Sequence, residues 1–173
     1  MPAVLTYSPS DVTIILADYQ LTGIMSVELQ WTGTPFTFRR GIRGVHTRTY
    51  NNDISASLRL EVSQTSITND VLFQILEQDR LNKSARLDIT VKDVGGATMF
   101  QSDQAYIPRY PSIKFSQGFE NRVWTIDLLT LTEGFTLGGN SHAGFDIFSS
   151  VQGAIDLLGG AATKAGDFID TII

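Results

Sequence analysis

The chain has 173 residues, a formal net charge of −5 and no cysteine. Its length and its ten Phe, five Tyr and two Trp predict one folded domain rather than a disordered chain. The absence of cysteine excludes a disulfide framework, thiolate metal sites and thiol nucleophiles, and the negative charge argues against tight, sequence-specific nucleic-acid binding.

No membrane anchor is expected. The opening stretch MPAVLTYSPSDVTIIL lacks a positively charged start and is broken by polar Ser8-Pro9-Ser10-Asp11, unlike a secretory signal. No uninterrupted apolar run approaches the roughly 20 residues that a membrane-spanning helix needs.

Alternation of apolar and polar residues predicts most of the secondary structure. Gly, Pro or Asn residues separate the alternating segments, and Gly95-Gly96 is a hairpin turn signal. Many short strands of this kind predict a mainly β, antiparallel sandwich or barrel. The predicted strands, in chain order, are DVTIIL, IMSVELQW, PFTFRR, VHTRTY, DISASLRLEV, ARLDITVKD, ATMFQSDQAYI, SIKFS and NRVWTIDLLTLT.

Two of these segments alternate most regularly. In DISASLRLEV the apolar residues Ile54, Ala56, Leu58, Leu60 and Val62 are expected on the buried face, and ARLDITVKD follows the same rule with Ala85, Leu87, Ile89 and Val91. The polar faces of the two segments comprise Ser55, Ser57, Arg59 and Glu61, and Arg86, Asp88, Thr90 and Lys92.

One segment has helical spacing instead. In SITNDVLFQILEQDRL, apolar residues at positions 71, 72, 75 and 76 predict a single helix over about 68–80 that flanks the sheet. Thr68 is the predicted N-cap, Asp70 lies in the first turn, where the helix dipole favours it, and Arg80 lies near the end.

The stretch from Gly33 to Asn52 is weakly hydrophobic and long for a turn, so we expect a protruding hairpin over about 33–52. It contains the most concentrated basic cluster of the chain, Arg39, Arg40, Arg43 and Arg48. The cluster could bind phosphates or be a solvated surface that pairs with carboxylates. A protein contact is favoured because Arg is common at interfaces and only Tyr50 is available to stack on a base.

The composition changes after Gly138-Gly139-Asn140. We therefore divide the chain into a β domain, 1–140, and an Ala/Gly-rich apolar extension, 141–173, which forms a partly helical arm. A membrane-active helix is the alternative, but the extension has Lys164 as its only basic residue. Its apolar residues need a cover, and we expect a neighbouring subunit or the core to supply it; the candidates are Phe145, Phe148, Phe168, Ile169, Ile172 and Ile173.

No catalytic pattern is present. His46 and His142 lack partners at motif spacing, no glycine-rich loop follows a strand and opens a helix, and spacing selects no pair of carboxylates. We expect no enzyme activity, no metal site and no cofactor.

The order of motifs resembles that of tail tube proteins from contractile-tailed, myovirus-type bacteriophages. The resemblance covers roughly Tyr7 to Asn140. It is carried by Asn52-Asp53 before an alternating strand, Gln64-Thr65-Ser66 and Asn69-Asp70 at the helix start, the Asp93–Gly96 turn, and an aromatic succession at Tyr106, Ile107, Pro111, Phe115 and Trp124.

The resemblance implies a tail tube-like sandwich or barrel whose hexameric rings stack into a hollow tube in the virion tail. It also implies assembly in the host bacterial cytoplasm, contacts with tail sheath, baseplate and tape measure proteins, and transient, non-specific passage of double-stranded DNA. In such a tube the two polar faces would line the lumen, and the Arg39 to Arg48 hairpin would contact the next ring.

Two alternatives stay open. One is an unrelated β-sandwich binding module, for example for glycans, with Trp31, Tyr50 and Tyr106 as an exposed platform. The other is a baseplate or tail-terminator protein that shares the fold but forms one ring.

Overall fold

The structure is a computed structural model that describes residues 7–84, 86–132 and 134–139. A short 3-10 helix, Pro9–Asp11, precedes the first strand, and the α-helix α1 spans Thr68–Asn82. The strands are β1 (Val12–Leu16), β2 (Tyr19–Gln20), β3 (Ile24–Trp31), β4 (Phe36–Arg40), β5 (His46–Tyr50), β6 (Ala56–Val62), β7 (Leu87–Asp93), β8 (Thr98–Tyr106), β9 (Arg122–Leu128) and β10 (Thr136–Leu137).

One antiparallel sheet contains most of these strands, in the order β2-β1-β7-β8-β9-β6-β3, with β10 also paired to β8. Pairing between β8 and β9 is limited to Ala105 with Leu128 and Tyr106 with Asp127, and this short join divides the sheet into two halves. The inner faces of both halves contribute to one core. The predicted mainly β, antiparallel fold with one flanking helix is confirmed, but the sheet does not close into a barrel.

The core follows the alternation seen in the sequence. Leu58, Leu60 and Val62 of β6 and Ile89 of β7 are fully buried, while Ile54 is half-buried. Trp124 and Ile126 of β9 lie opposite Leu60 and Leu58 on the same face. Burying each large apolar side chain contributes about 1.5–3 kcal/mol, so the alternating residues fix which face of the sheet points inward.

The helix begins at Thr68 as predicted and ends two residues later than predicted, but Thr68 is not its N-cap. Thr68 lies inside the helix and is fully buried. Its Oγ1 accepts the Thr22 N–H at 2.9 Å and donates to the Thr22 carbonyl at 2.7 Å. A buried hydroxyl needs such partners, and here they lie in the chain before β3 rather than in the first helical turn. Ser66 Oγ instead accepts the Thr68 N–H, at 3.2 Å.

Asn69 joins the helix to the sheet. Its Oδ1 accepts the indole N–H of buried Trp124 at 3.0 Å. Its Nδ2 donates to the carbonyls of Ser63 at 2.8 Å and Ser66 at 3.1 Å. The side chain therefore satisfies polar groups of β9 and of the turn between β6 and α1 together.

The predicted strand SIKFS is wrong. Residues 107–121 form an irregular connection between β8 and β9, and Ile113 and Phe115 are exposed. Pro108 and Pro111 precede this stretch, and each lacks the N–H that a strand ladder requires. The alternation in SIKFS consequently marks no buried face.

The strands β4 and β5 pair with each other from Phe36–Tyr50 to Arg40–His46, as a two-stranded sheet separate from the main one. All ten of their residues are exposed.

Several predictions fall outside the described residues. They concern Ala85, His142, the extension 141–173 and its residues Phe145, Phe148, Phe168, Ile169, Ile172 and Ile173. Within the part of the chain that the structure describes, no helix combines the length and hydropathy that crossing a bilayer would require.

Replacing Asn69 by Ala is expected to lower the free energy of unfolding by about 1–3 kcal/mol, because the buried Trp124 N–H loses its acceptor. Urea denaturation followed by Trp fluorescence measures the change. Asn82→Ala at the exposed helix end is the control and should shift stability by about 0.5 kcal/mol or less. Equal effects of the two substitutions would contradict the role assigned to Asn69.

Gly23→Ala is expected to destabilise the fold by about 1–3 kcal/mol. Gly23 has a φ of +68°, and an added Cβ would lie 2.6 Å from the Ser66 Cβ. Gly139→Ala is the matched control, since nothing lies within 4 Å of its added Cβ. Thermal unfolding of both variants tests this, and a Gly23→Ala protein as stable as the control would refute it.

Candidate assembly surfaces

The strand β3 presents a long open edge. It pairs with β6 on one side, and no other described strand pairs with its second side. Thr32 N–H donates to the Ser55 carbonyl at 3.0 Å. Antiparallel ladders alternate, so the N–H and C=O groups of Val27, Leu29 and Trp31 point away from β6. Such an edge is a template for pairing with another chain.

The opposite edge of the sheet is better covered. The two-residue strand β2 pairs with the end of β1, and Leu21 N–H donates to the Ile14 carbonyl at 2.9 Å. Short strands of this kind limit edge-to-edge association. The two edges of the sheet are therefore not equivalent, and β3 is the one that is open for pairing.

The predicted polar faces both point away from the core, and they lie on different halves of the sheet. Ser57, Arg59 and Glu61 belong to β6, whereas Asp88, Thr90 and Lys92 belong to β7, with β8 and β9 between them. Ser55 and Arg86 lie just before their strands. Arg86 lines a cavity of about 370 Å³ between α1 and the start of β7, together with Asp79.

Arg59 is the centre of a charged group on the polar face of β6. Its guanidinium lies 3.8 Å from Glu28 Oε2 and 3.6 Å from Glu61 Oε1. Ser57 Oγ donates to Asp127 Oδ1 at 2.9 Å on the adjoining strand β9. All of the ion-pair side chains are about one-third exposed or more, so each pair contributes little to stability. The result is a surface on which two carboxylates flank one guanidinium and a third, Asp127, lies on the neighbouring strand.

Glu28 and Asp127 were not among the residues predicted for this face. Both lie in alternating segments, IMSVELQW and NRVWTIDLLTLT. Only the strand order, which puts β3 and β9 on either side of β6, shows that they adjoin Arg59 and Ser57.

The proposed aromatic platform for glycans is not formed. Trp31 pairs in register with buried Ala56 and stacks near Phe135, with ring centroids 5.6 Å apart. Tyr106 pairs with Asp127 on the opposite, polar face. Burial and the Asp127 carboxylate raise the pKa of the Tyr106 phenol. Cross-strand partners share a face, so Trp31 and Tyr106 cannot contact one flat ligand.

One face of the β4–β5 hairpin combines aromatic and cationic side chains. Phe36 lies opposite Tyr50, with ring centroids 5.3 Å apart, and the Arg48 guanidinium lies 3.6 Å from the Phe36 centroid. This geometry is a cation–π contact. We call this surface the hairpin face; it consists of Phe36, Phe38, Arg40, His46, Arg48 and Tyr50.

The four predicted arginines do not share one surface. Arg40 and Arg48 belong to the hairpin face, Arg39 points to its other side opposite Thr47, and Arg43 lies in the turn. No carboxylate of the described ranges lies within 4.0 Å of any of them. The alternation in PFTFRR could have indicated that Phe36 and Phe38 join Arg40 on one face.

An apolar cleft of about 380 Å³ lies between β3 and the strands β1, β7, β8 and β10. Asp93 is the one charged residue among its described lining residues; it is 8% exposed, and its Oδ1 accepts the Gly95 N–H at 3.0 Å. Tyr7 and Met25 stand exposed at its rim. The apolar lining consists of Val12, Ile14, Ile24, Val27, Leu29, Val91, Phe100 and Leu137 together with Pro9.

The connection between β8 and β9 is held against α1. The Tyr110 hydroxyl donates to Glu77, and Arg80 Nη2 donates to the other Glu77 oxygen at 2.9 Å. The Arg80 and Tyr110 hydrogen bonds lower the pKa of Glu77. Lys114 Nζ lies 2.8 Å from Glu120 Oε1. These contacts fix the loop while its phenylalanines, Phe115 and Phe119, stay exposed.

The described residues contain no group of three side chains suited to hold a metal ion. The prominent features are instead an open strand edge and exposed apolar side chains on the hairpin, at the cleft rim and in the β8–β9 loop. Patches of this kind mark surfaces that other proteins cover.

Comparisons with known proteins place the chain among viral proteins. No family model matches it. The cryo-EM structure of the anti-feeding prophage cap, a tube-terminating cap, superimposes with a TM-score of 0.55 at 12% identity, over 76% of this chain and 93% of that one, and thus has a similar fold.

A curated relative is closer in sequence. Structural protein ORF10 of Pseudomonas phage KPP10 is 34% identical over 146 residues, which cover 78% of this chain and 83% of the relative. The chain therefore belongs to the family of this phage structural protein.

Proposed function

We propose that the protein is a structural, non-catalytic component of a contractile phage tail that forms a single ring at the end of the tail tube. The main support for this proposal is the similarity of fold: the superposition covers 93% of the chain of a tube-terminating cap. The family relationship to a phage structural protein supports it independently.

The open edge of β3 gives a physical reason for ring formation. Completing that edge with a strand of the next copy would satisfy the outward N–H and C=O groups of Val27, Leu29 and Trp31. The two edges of the sheet differ, so such a contact is head-to-tail, and it produces a ring when the rotation between successive copies closes. The family resemblance implies six copies.

The outer, polar face of the β9-β6-β3 half of the sheet is the proposed lining of the central channel. The carboxylates of Glu28, Glu61 and Asp127 outnumber the single guanidinium of Arg59, so this part of the lining repels phosphates at short range. Screening limits the effect to about 8 Å at physiological salt. Double-stranded DNA would therefore pass transiently and without specific binding.

The remaining contacts follow from the tail setting. The hairpin with Arg39, Arg40, Arg43 and Arg48 would reach an adjacent ring, and residues of 141–173 would cover a neighbouring subunit. The tail tube, sheath, tape measure and baseplate proteins are the partners that this setting implies. The location is the virion tail, after assembly in the host cytoplasm.

A tube subunit is the second candidate, because the exposed hairpin could join successive rings. A tube subunit would polymerise without limit, whereas a terminator stops at one ring. Negative-stain microscopy of the purified protein separates the two: we expect isolated rings with a central hole. Long hollow fibres would select the tube subunit, and dispersed monomers at high concentration would contradict both.

The role of the β3 edge can be tested with Leu29→Pro. The Leu29 N–H points away from β6, so proline removes a donor needed only for pairing with another copy. We expect a folded monomer by circular dichroism and light scattering. Leu29→Ala shortens the same side chain but keeps the N–H, and should still form rings. Rings of normal size from Leu29→Pro would rule out edge pairing.

A further inference from the structure

We propose that the hairpin face of one copy binds the apolar cleft of a second copy, with the arginines of the hairpin facing Asp93. This contact rests on the proposed function for its setting, a ring of copies, and names the receptor surface for the hairpin.

The hairpin lacks a core of its own. Phe38 is 76% exposed and Tyr50 is 60% exposed, and β4 and β5 pair with no other described strand. A two-stranded hairpin alone is marginally stable in water. Aromatic residues are large, rigid groups that release much water on burial, so a partner surface would stabilise the hairpin face substantially.

The cleft has the complementary chemistry. Asp93 is a largely buried carboxylate with no Lys, Arg or His within 4.0 Å among residues 7–84, 86–132 and 134–139. A buried carboxylate without a cation is costly. Asp11 lies at the same turn, where its carbonyl accepts the Val94 N–H at 3.0 Å. The rest of the lining is mostly apolar, with Ser26 and Thr98 as its uncharged polar residues besides the Tyr7 hydroxyl.

Charge complementarity selects the hairpin as the occupant. The segment 33–52 carries four arginines and no acidic residue, whereas the chain as a whole has a net charge of −5. A guanidinium from Arg40 or Arg48 would compensate Asp93 while Phe38 fills the apolar space. The cleft volume of about 380 Å³ lies within the roughly 300–1,000 Å³ range of sites that accept small organic groups.

The positions of the cleft and the hairpin within one copy favour a contact between two copies. The cleft follows β3 from Ile24 to Leu29, whereas the hairpin leaves from beyond Trp31, and no hairpin residue lines the cleft. Each copy therefore offers one hairpin and one cleft. Such a contact is heterologous, the type that generates rings or stacks.

Two single variants and their mixture test the proposal. Phe38→Glu removes the aromatic knob, and Met25→Arg blocks the cleft at its rim with a repelling charge; both side chains are exposed, so both variants should fold. Sedimentation velocity should show self-association weakened at least tenfold for each variant alone. Mixing them should restore 1:1 pairs, because one intact hairpin and one intact cleft remain.

Matched controls are Phe73→Glu on α1 and Met99→Arg on the outer face of β8, which are also exposed. We expect both to associate like the unchanged protein. Asp93→Asn keeps an acceptor for the Gly95 N–H but removes the charge; it should weaken association about three- to tenfold and reduce its dependence on salt. Unaltered salt dependence in Asp93→Asn would overturn the assigned role of this carboxylate.

The outcomes also separate this contact from the proposed function. Unchanged rings from Phe38→Glu and Met25→Arg would overturn the hairpin–cleft contact and leave the ring proposal standing. The unchanged protein could instead form head-to-tail pairs and no rings, with the pairs lost in each variant and regained when the variants are mixed. That result would support the hairpin–cleft contact and contradict the ring. If both variants self-associate normally and Phe38→Glu alone loses binding to a duplex DNA probe, the hairpin face contacts DNA and the contact is wrong.

Discussion

The hydrogen bond from the Trp124 indole to Asn69 is the constraint on which the fold depends. It joins the buried side chain of Trp124 in β9 to the first turn of the helix, and the same Asn69 side chain satisfies two carbonyls of the β6–α1 turn. Ser66 and Thr68 extend this junction to Thr22, just before β3. The start of β3, and with it the rim of the cleft, is thereby fixed relative to the core.

A core organised in this way leaves the functional surfaces outside it. The inner faces of the sheet are occupied by Leu, Ile and Trp side chains, whereas the open edge, the polar residues and the hairpin lie on the surface. None of these surfaces resembles a catalytic cleft with converging titratable groups. Exposed apolar side chains and an unpaired strand edge are features typical of surfaces that other proteins cover, and the chain belongs to the family of a phage structural protein.

The sequence was sufficient where a local pattern decides the structure. The alternation of apolar and polar residues in β6 and β7 predicts correctly which face of each strand is buried. The spacing of apolar residues in α1 predicts the bounds of the helix to within two residues. Long-range pairing was not readable: Arg59 meets Glu28 and Asp127 meets Ser57 only because β3, β6 and β9 are neighbours. The strand predicted at SIKFS does not form because the neighbouring prolines lack the N–H groups that a strand ladder needs. Thr68 is not the N-cap because its hydroxyl bonds to Thr22, far away in the sequence.

The solvent exposure of the hairpin has a consequence for the life of a newly made copy. A single copy displays Phe38 and Tyr50 to water, so a contact that hides them gains free energy from the water that it releases. The same exposure makes the hairpin sensitive to crowding by other chains, because any apolar surface that meets it first competes for these two aromatic rings.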